Sequence, residues 1–182
     1  ETTVNAYTGD VRARHEADLG FRLGGKLIER RVDVGASVRR GQVLARLDPQ
    51  DAALNARAAA AQRAAAETDR TLAQAEYDRA LGLKAKNFIS DSVLDARRSA
   101  LEAATSRLQQ ARAQADLAAN QSGYTTLAAD RDGVVTAILA EPGQVVAAGQ
   151  SIARIAQPGA REVLIHAPER RIAGLQVGAA AQ

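Results

Sequence analysis

Two stretches of this chain are copies of one another. GKLIERRVDVGASVRRGQVLARL, from Gly25, aligns without gaps on GVVTAILAEPGQVVAAGQSIARI, from Gly133, at an offset of 133 − 25 = 108 residues. Gly35 meets Gly143, Val38 meets Val146, Gly41-Gln42 meets Gly149-Gln150, and Ala45-Arg46 meets Ala153-Arg154. A repeat at a fixed offset constrains architecture ahead of any assignment of secondary structure. Each copy reads as short strands rich in Val, Leu and Ile. They are punctuated by Gly25, Gly35 and Gly41 in the first and Gly133, Gly143 and Gly149 in the second, where a turn needs positive φ or backbones approach closely. A strand–turn–strand half of this size cannot bury its apolar face alone, so the two are expected to close on each other as one small β-sandwich. The chain between them must leave and return at neighbouring points.

That insertion is alanine-rich. Hydrophobic residues make up 46% of the chain, but aromatics only 3%, with no Trp or Met. Alanine is the best helix former and contributes little burial, which favours long thin helices over a large core. Asp48-Pro49 opens the first helix, with Asp48 as N-cap acceptor, Pro49 at the first helical position and Asp51 near the positive end of the dipole. The helix is expected to run to about Lys86, with a heptad seam at Leu54, Ala58, Ala61, Ala65, Thr68, Leu72, Ala75 and Arg79. The second helix carries a seam at Leu94, Arg97, Leu101, Ala104, Leu108, Ala111, Ala115 and Ala118, and Gly123 suits a left-handed C-cap. Two starts are open to it: Ser90 as N-cap with an Ile89–Leu94 staple, or Ser92 in a capping box with Asp95. The pair should form an antiparallel hairpin, each rod of ~36 residues extending ~54 Å. Arg79 and Arg97 lie equally far from Phe88 (88 − 79 = 97 − 88 = 9) on opposite seams. Burying both is expensive, so the seam is expected to open near the tip.

Charge and residue chemistry narrow the function classes. The net charge of +3 is small against 24 basic and 21 acidic residues, and basic clusters with stacking aromatics are missing, which argues against nucleic acid. With no cysteine, disulfides, thiolate metal sites and cysteine nucleophiles are excluded. His15 and His166 lie far apart without ligand spacing, so no metal is expected. Gly24-Gly25 lacks the Lys-Ser/Thr of a phosphate loop, and no nucleophile has a positioned base, so neither cofactor nor catalysis is expected. No apolar run approaches bilayer length and the opening residues lack signal-peptide character. The expectation is a soluble chain or one whose anchor is missing.

Two lipoyl-like halves separated by a helical hairpin resemble the periplasmic adaptor, or membrane fusion protein, family. DLGFRLGGKLIERRVDVGASVRRGQVLARLDPQD, from Asp18 to Asp51, looks like the family's first half-motif, and YTTLAADRDGVV, from Tyr124, like the start of its second. Ala129-Asp130 stands where the family usually has Ala-Pro, a departure confined to that turn. The resemblance implies an α+β fold: a lipoyl-like β-sandwich of two half-motifs, interrupted by a long antiparallel coiled-coil hairpin, with partial β-barrel strands at both ends. The implied division is residues 1–17 for the first barrel strand or strands, 18–48 for half 1, 49–123 for the hairpin, 124–158 for half 2, and 159–182 for the start of a truncated barrel. Val4 to Arg14, and Glu162 to Ala167 followed by PERRIAGLQVG, resemble the barrel strands.

Efflux adaptors of this family often carry Arg-xxx-Leu-xxxxxx-Ser at the hairpin tip, and Arg79, Leu83 and Ser90 stand at those spacings. By resemblance these residues would dock onto a TolC-like outer-membrane channel protein. The resemblance also implies an inner-membrane transporter partner, of the RND type or alternatively of an ABC exporter or type I secretion system. It further implies side-by-side assembly, commonly as a hexamer, and a Gram-negative periplasmic location with inner-membrane anchoring through an N-terminal anchor. Gln42 and Gln150, equivalent in the two halves, are candidates to line such a ring. A lipoyl or biotinyl carrier is the competing reading. It needs a modifiable lysine at the turn joining the halves, whereas the lysines here are Lys26, Lys84 and Lys86.

Overall fold

The computed structural model describes residues 7–168 and 177–178. Their order is β1 (Gly9–Ala13), β2 (Glu16–Gly20), β3 (Gly25–Arg30), β4 (Ser37–Val38), β5 (Val43–Leu47), α1 (Gln50–Ala85), α2 (Asp91–Gly123), β6 (Thr126–Ala128), β7 (Gly133–Ile138), β8 (Val145–Val146), β9 (Ser151–Ala156) and β10 (Arg161–Ile165). The two repeat copies give strands of matching position: β3, β4 and β5 stand at the same offset from β7, β8 and β9.

The sandwich has two four-stranded sheets, β2-β9-β7-β4 and β6-β5-β3-β8. Each half therefore lends its short middle strand to the sheet of the other. Gly25 opposes Val146 across β3 and β8, and Gly133 opposes Val38 across β7 and β4. The loops repeat the exchange. The Gly35 N–H donates to the Val135 carbonyl at 2.8 Å, and the Gly143 N–H to the Leu27 carbonyl at 2.7 Å. The four turn glycines take positive φ: 88° at Gly35, 83° at Gly41, 97° at Gly143 and 78° at Gly149. There a side chain would strain the backbone.

The core follows the same pseudo-two-fold relation. Leu27, Leu44, Leu47 and Val38 are buried in one half and Val135, Ile152, Ile155 and Val146 in the other, each at the equivalent position. Each such side chain contributes about 1.5–3 kcal/mol of burial. Asp18 and Arg154 lock β2 to β9 with a two-pronged ion pair at 2.7 and 3.2 Å. Separately, β1 and β10 form a two-stranded sheet with Val11 opposite Val163. The remaining expected barrel residues, 4–6 and 169–176, lie outside the described residues.

Between β5 and β6 the chain runs out along α1 and back along α2 as an antiparallel hairpin. Asp48 accepts a hydrogen bond from the Gln50 N–H at 3.0 Å, but Pro49, not Asp48, is the N-cap: the Ala53 N–H donates to the Pro49 carbonyl at 2.8 Å and the helix begins at Gln50, one residue later than expected. Where the hairpin rejoins the sandwich, the Arg22 guanidinium lies 5.0 Å from the centre of the Tyr124 ring. Gly123 is the last helical residue and has no positive φ, against the expected left-handed cap. The end is closed instead by the Tyr124 N–H, shared between the Asn120 and Gln121 carbonyls at 3.1 Å, and by the Thr125 hydroxyl on the Ser122 carbonyl at 2.7 Å.

The seam of α2 is buried at Ala104, Leu108, Ala111 and Ala115, as its heptad pattern predicts. The seam expected on α1 is not the packed one. All eight of its positions are exposed, Leu54 at 60% and Leu72 at 57%. The half-buried positions include Ala52, Ala56, Ala59, Ala66, Arg70, Ala73 and Tyr77, each two residues earlier in the same rhythm, in which Arg63 alone is exposed, and Ala80 beyond them is buried. Alanine occupies both stripes, so leucine content misleads. With Leu101 and Leu108 projecting from α2, alanines opposite them let the helices approach closely, while Glu67 and Glu76 reach Arg112 at 3.1 Å and Arg97 at 2.7 Å. Arg79 therefore lies off the seam and does not face Arg97, which removes the reason for the seam to open near the tip.

Candidate functional site

The far end of the hairpin is a built turn. The Asn87 backbone has φ 59°, the left-handed conformation that ends many helices and that Asn tolerates. The Phe88 N–H donates to the Leu83 carbonyl at 3.0 Å and the Asn87 N–H to the Lys84 carbonyl at 2.9 Å, the paired bonds of a Schellman motif. Ser90 caps α2, its hydroxyl accepting from the Val93 N–H at 3.4 Å and sharing a 2.8 Å hydrogen bond with the Ser92 hydroxyl. Of the two starts open from sequence, the Ser90 cap is the one formed. The Lys84 ammonium meets the Asp91 carboxylate at 2.7 Å and ties the two helix ends together.

Arg79 and Leu83, one turn apart, share an outward face of α1, and Leu83 is 44% exposed. The ion pairs among the described residues do not involve Arg79, so its five donors face solvent. Ser90 lies beyond the turn with its hydroxyl already bonded within the chain. Phe88, 72% exposed at the apex, was not singled out from sequence as a contact residue. It is one of only two phenylalanines in the chain and follows a helix-ending Asn, which was the available signal. A rigid tip bearing an unpaired guanidinium and two exposed apolar side chains can engage carbonyl or carboxylate groups and cover an apolar partner surface.

Gln42 and Gln150 occupy equivalent exposed turns. The Gln42 side-chain carbonyl accepts from the Arg39 N–H at 3.0 Å, and that of Gln150 from the Ala147 N–H at 3.0 Å. Each amide oxygen closes its own turn, leaving the NH₂ for any further partner. Among the described residues no group of three or more His, Cys, Asp or Glu could hold a metal ion, and no helix is long and apolar enough to cross a membrane.

No family model matches the chain. It is 28% identical over 162 residues to the macrolide export protein MacA of Yersinia pestis, spanning 81% of this chain and 44% of that one. The fold is shared with the periplasmic adaptor protein EmrA, at a TM-score of 0.63 and 18% identity over 95% of this chain and 81% of the other. It is shared too with the membrane fusion protein Spr0693 of Streptococcus pneumoniae R6, at a TM-score of 0.66 and 23% identity over 93% of this chain and 71% of that one. The resemblance to the membrane fusion proteins holds. The chain covers less than half of the curated relative's length.

Proposed function

We propose that this chain is the central part of a periplasmic adaptor subunit of a tripartite efflux pump. It links an inner-membrane transporter of the RND type to a TolC-like outer-membrane channel and takes no part in chemistry. The observation that carries this reading is the exchange of β4 and β8 between the two repeat halves. It closes the sandwich around the root of the hairpin, so that force on the tip is borne by the whole β-body. Residues 18–48 and 124–158 act as the lipoyl-like halves, 49–123 as the hairpin, and the flanks as strands of a barrel. Glu16 and Ala17 already pair with β9 and extend the first half slightly.

In this reading copies stand side by side, commonly six, with the sandwiches forming a ring, the free amides of Gln42 and Gln150 toward its lumen, and the hairpins forming a tube. The full-length protein is periplasmic and anchored to the inner membrane. Arg79 and Leu83 meet the channel, while Ser90 holds the tip in shape and touches the partner at its rim. The test is site-specific crosslinking from cysteines at Phe88 and Leu83 to candidate channels, with an Arg79→Glu variant in an export assay. A tip crosslink and lost export are expected. No crosslink together with normal export by Arg79→Glu would defeat the reading.

A further inference from the structure

The two repeat copies fold alike but are charged differently. Residues 25–47 carry six Lys or Arg against Glu29 and Asp33, a net charge of 6 − 2 = +4, whereas residues 133–155 carry Glu141 and Arg154 and are neutral. Arg46 on β5 and Arg154 on β9 are equivalent (154 − 46 = 108), and their side chains are exposed alike, at 43% and 41%. Their partners are not alike.

Arg154 is met by β2. Asp18 opposes it in register and accepts from Nε at 2.7 Å and from Nη2 at 3.2 Å, with Glu16 3.9 Å away. The strand beside Arg46 is β6, and the positions equivalent to Glu16 and Asp18, at 16 + 108 = 124 and 18 + 108 = 126, hold Tyr124 and Thr126. Thr126 opposes Arg46 in register as Asp18 opposes Arg154, so both acids of the second site are replaced by uncharged residues in the first. Glu29 lies 3.8 Å from Arg46, beyond hydrogen-bond length, and gives its other oxygen to Arg31 at 2.7 Å. Asp48, next on the same face, is engaged by the Gln50 N–H. The Arg46 Nε is therefore buried without an acceptor, the one such side-chain nitrogen or oxygen among the described residues. A buried donor left unpaired is costly, and more so on a charged group.

We propose that Arg46 and Thr126 form a binding site for a carboxylate carried by another polypeptide, an Asp or Glu of an acidic segment laid on the outer face of β5 and β6. That carboxylate takes the place against Arg46 that Asp18 holds against Arg154, and the Thr126 hydroxyl donates to its second oxygen. The excess positive charge of the first copy attracts such a segment. A free carboxylate gains little at a single exposed arginine, so a resident acid must be held by neighbouring contacts as well, which a polypeptide supplies and a small acid does not. The site lies beside the root of the hairpin, where the Leu47 N–H meets the Thr125 carbonyl, and it needs neither the tip contact nor the assembly of copies.

The test follows the Nε–H resonances of Arg46 and Arg154 by nitrogen-15 NMR of the whole chain, assigned with Arg46→Lys and Arg154→Lys. Hexaglutamate is added, or sodium acetate at equal carboxylate concentration, or sodium chloride at equal ionic strength. Hexaglutamate should move the Arg46 resonance and leave that of Arg154 in place, at a carboxylate concentration about tenfold below that needed with acetate, the gain from two or three further exposed ion contacts. Thr126→Asp should supply the acid from within, make the Arg46 Nε–H exchange as slowly as that of Arg154, and abolish the response, while Thr126→Asn keeps it. Equal responses to hexaglutamate and acetate would reduce the site to one for small acids and overturn the polypeptide donor. Movement with chloride alone, no movement with hexaglutamate, or a response that survives in Thr126→Asp would overturn the site itself. Movement on concentrating the chain without additive would make a second copy the donor and overturn the foreign segment.

Discussion

Leu72 and Leu108 are leucines in equally good heptad positions, and only one of them is packed. Leu108 is 5% exposed and is the one buried leucine of the hairpin among the described residues, while Leu72 is 57% exposed. Leu→Ala in a closed core costs about 2–5 kcal/mol, the larger values where the surroundings cannot collapse. A two-helix seam has solvent along both flanks, so Leu108→Ala is expected near the lower end, about 2–3 kcal/mol. The exposed Leu72→Ala should stay within about 0.5 kcal/mol. For a chain of this size, at about 2–4 °C per kcal/mol, the midpoint falls about 4–12 °C for Leu108→Ala and no more than about 2 °C for Leu72→Ala. The assay is thermal unfolding followed by far-ultraviolet circular dichroism, at dilution sufficient to keep copies apart. Equal losses, or a larger one for Leu72→Ala, would refute the packed register of α1.

Three further outcomes follow from named contacts. Ser90→Ala removes the cap of α2 and should cost about 1 kcal/mol in the same assay, with Ser90→Asp restoring most of it. Gln42→Ala and Gln150→Ala each lose one turn-closing hydrogen bond of about 0.5–1.5 kcal/mol, and their pseudo-symmetry requires similar losses by urea titration. The Asp18 carboxyl is held below its ordinary value by the hydrogen bond from Arg154, as those of Glu29 and Asp130 are by Arg31 and Arg131. A depressed carboxyl adds stability that is present above its unfolded value and lost as pH falls through its folded one. Asp18→Asn should therefore be less stable than the parent at neutral pH, and the two should converge in acid unfolding below about pH 4. A constant difference across that range would count against the ion pair.

The repeat made the sandwich legible, because matched glycines and matched apolar positions specify two halves that cannot close alone. What it did not reveal was the exchange. β4 and β8 are two residues long, too short for alternation to indicate a partner, and their sheet is decided by the Gly25–Val146 and Gly133–Val38 registers. The capping serine was undecided for a similar reason, since Ser90 and Ser92 both offer a hydroxyl within one turn and only the backbone path selects Ser90. The expectation for Arg79, Leu83 and Ser90 comes from resemblance alone, and the exposed Phe88 between them gives no periodic signal because it is a lone aromatic in a turn.

The error in the α1 seam has a different origin. Two stripes of small residues run along α1 in the same rhythm. Periodicity then cannot say which is internal. Alanine occurs in both and contributes little burial to either. What separates the faces is the pairing of charges: Glu67 with Arg112 and Glu76 with Arg97 are satisfied within the hairpin, while Arg57, Asp69, Arg107 and Asp116 make no ion pair there.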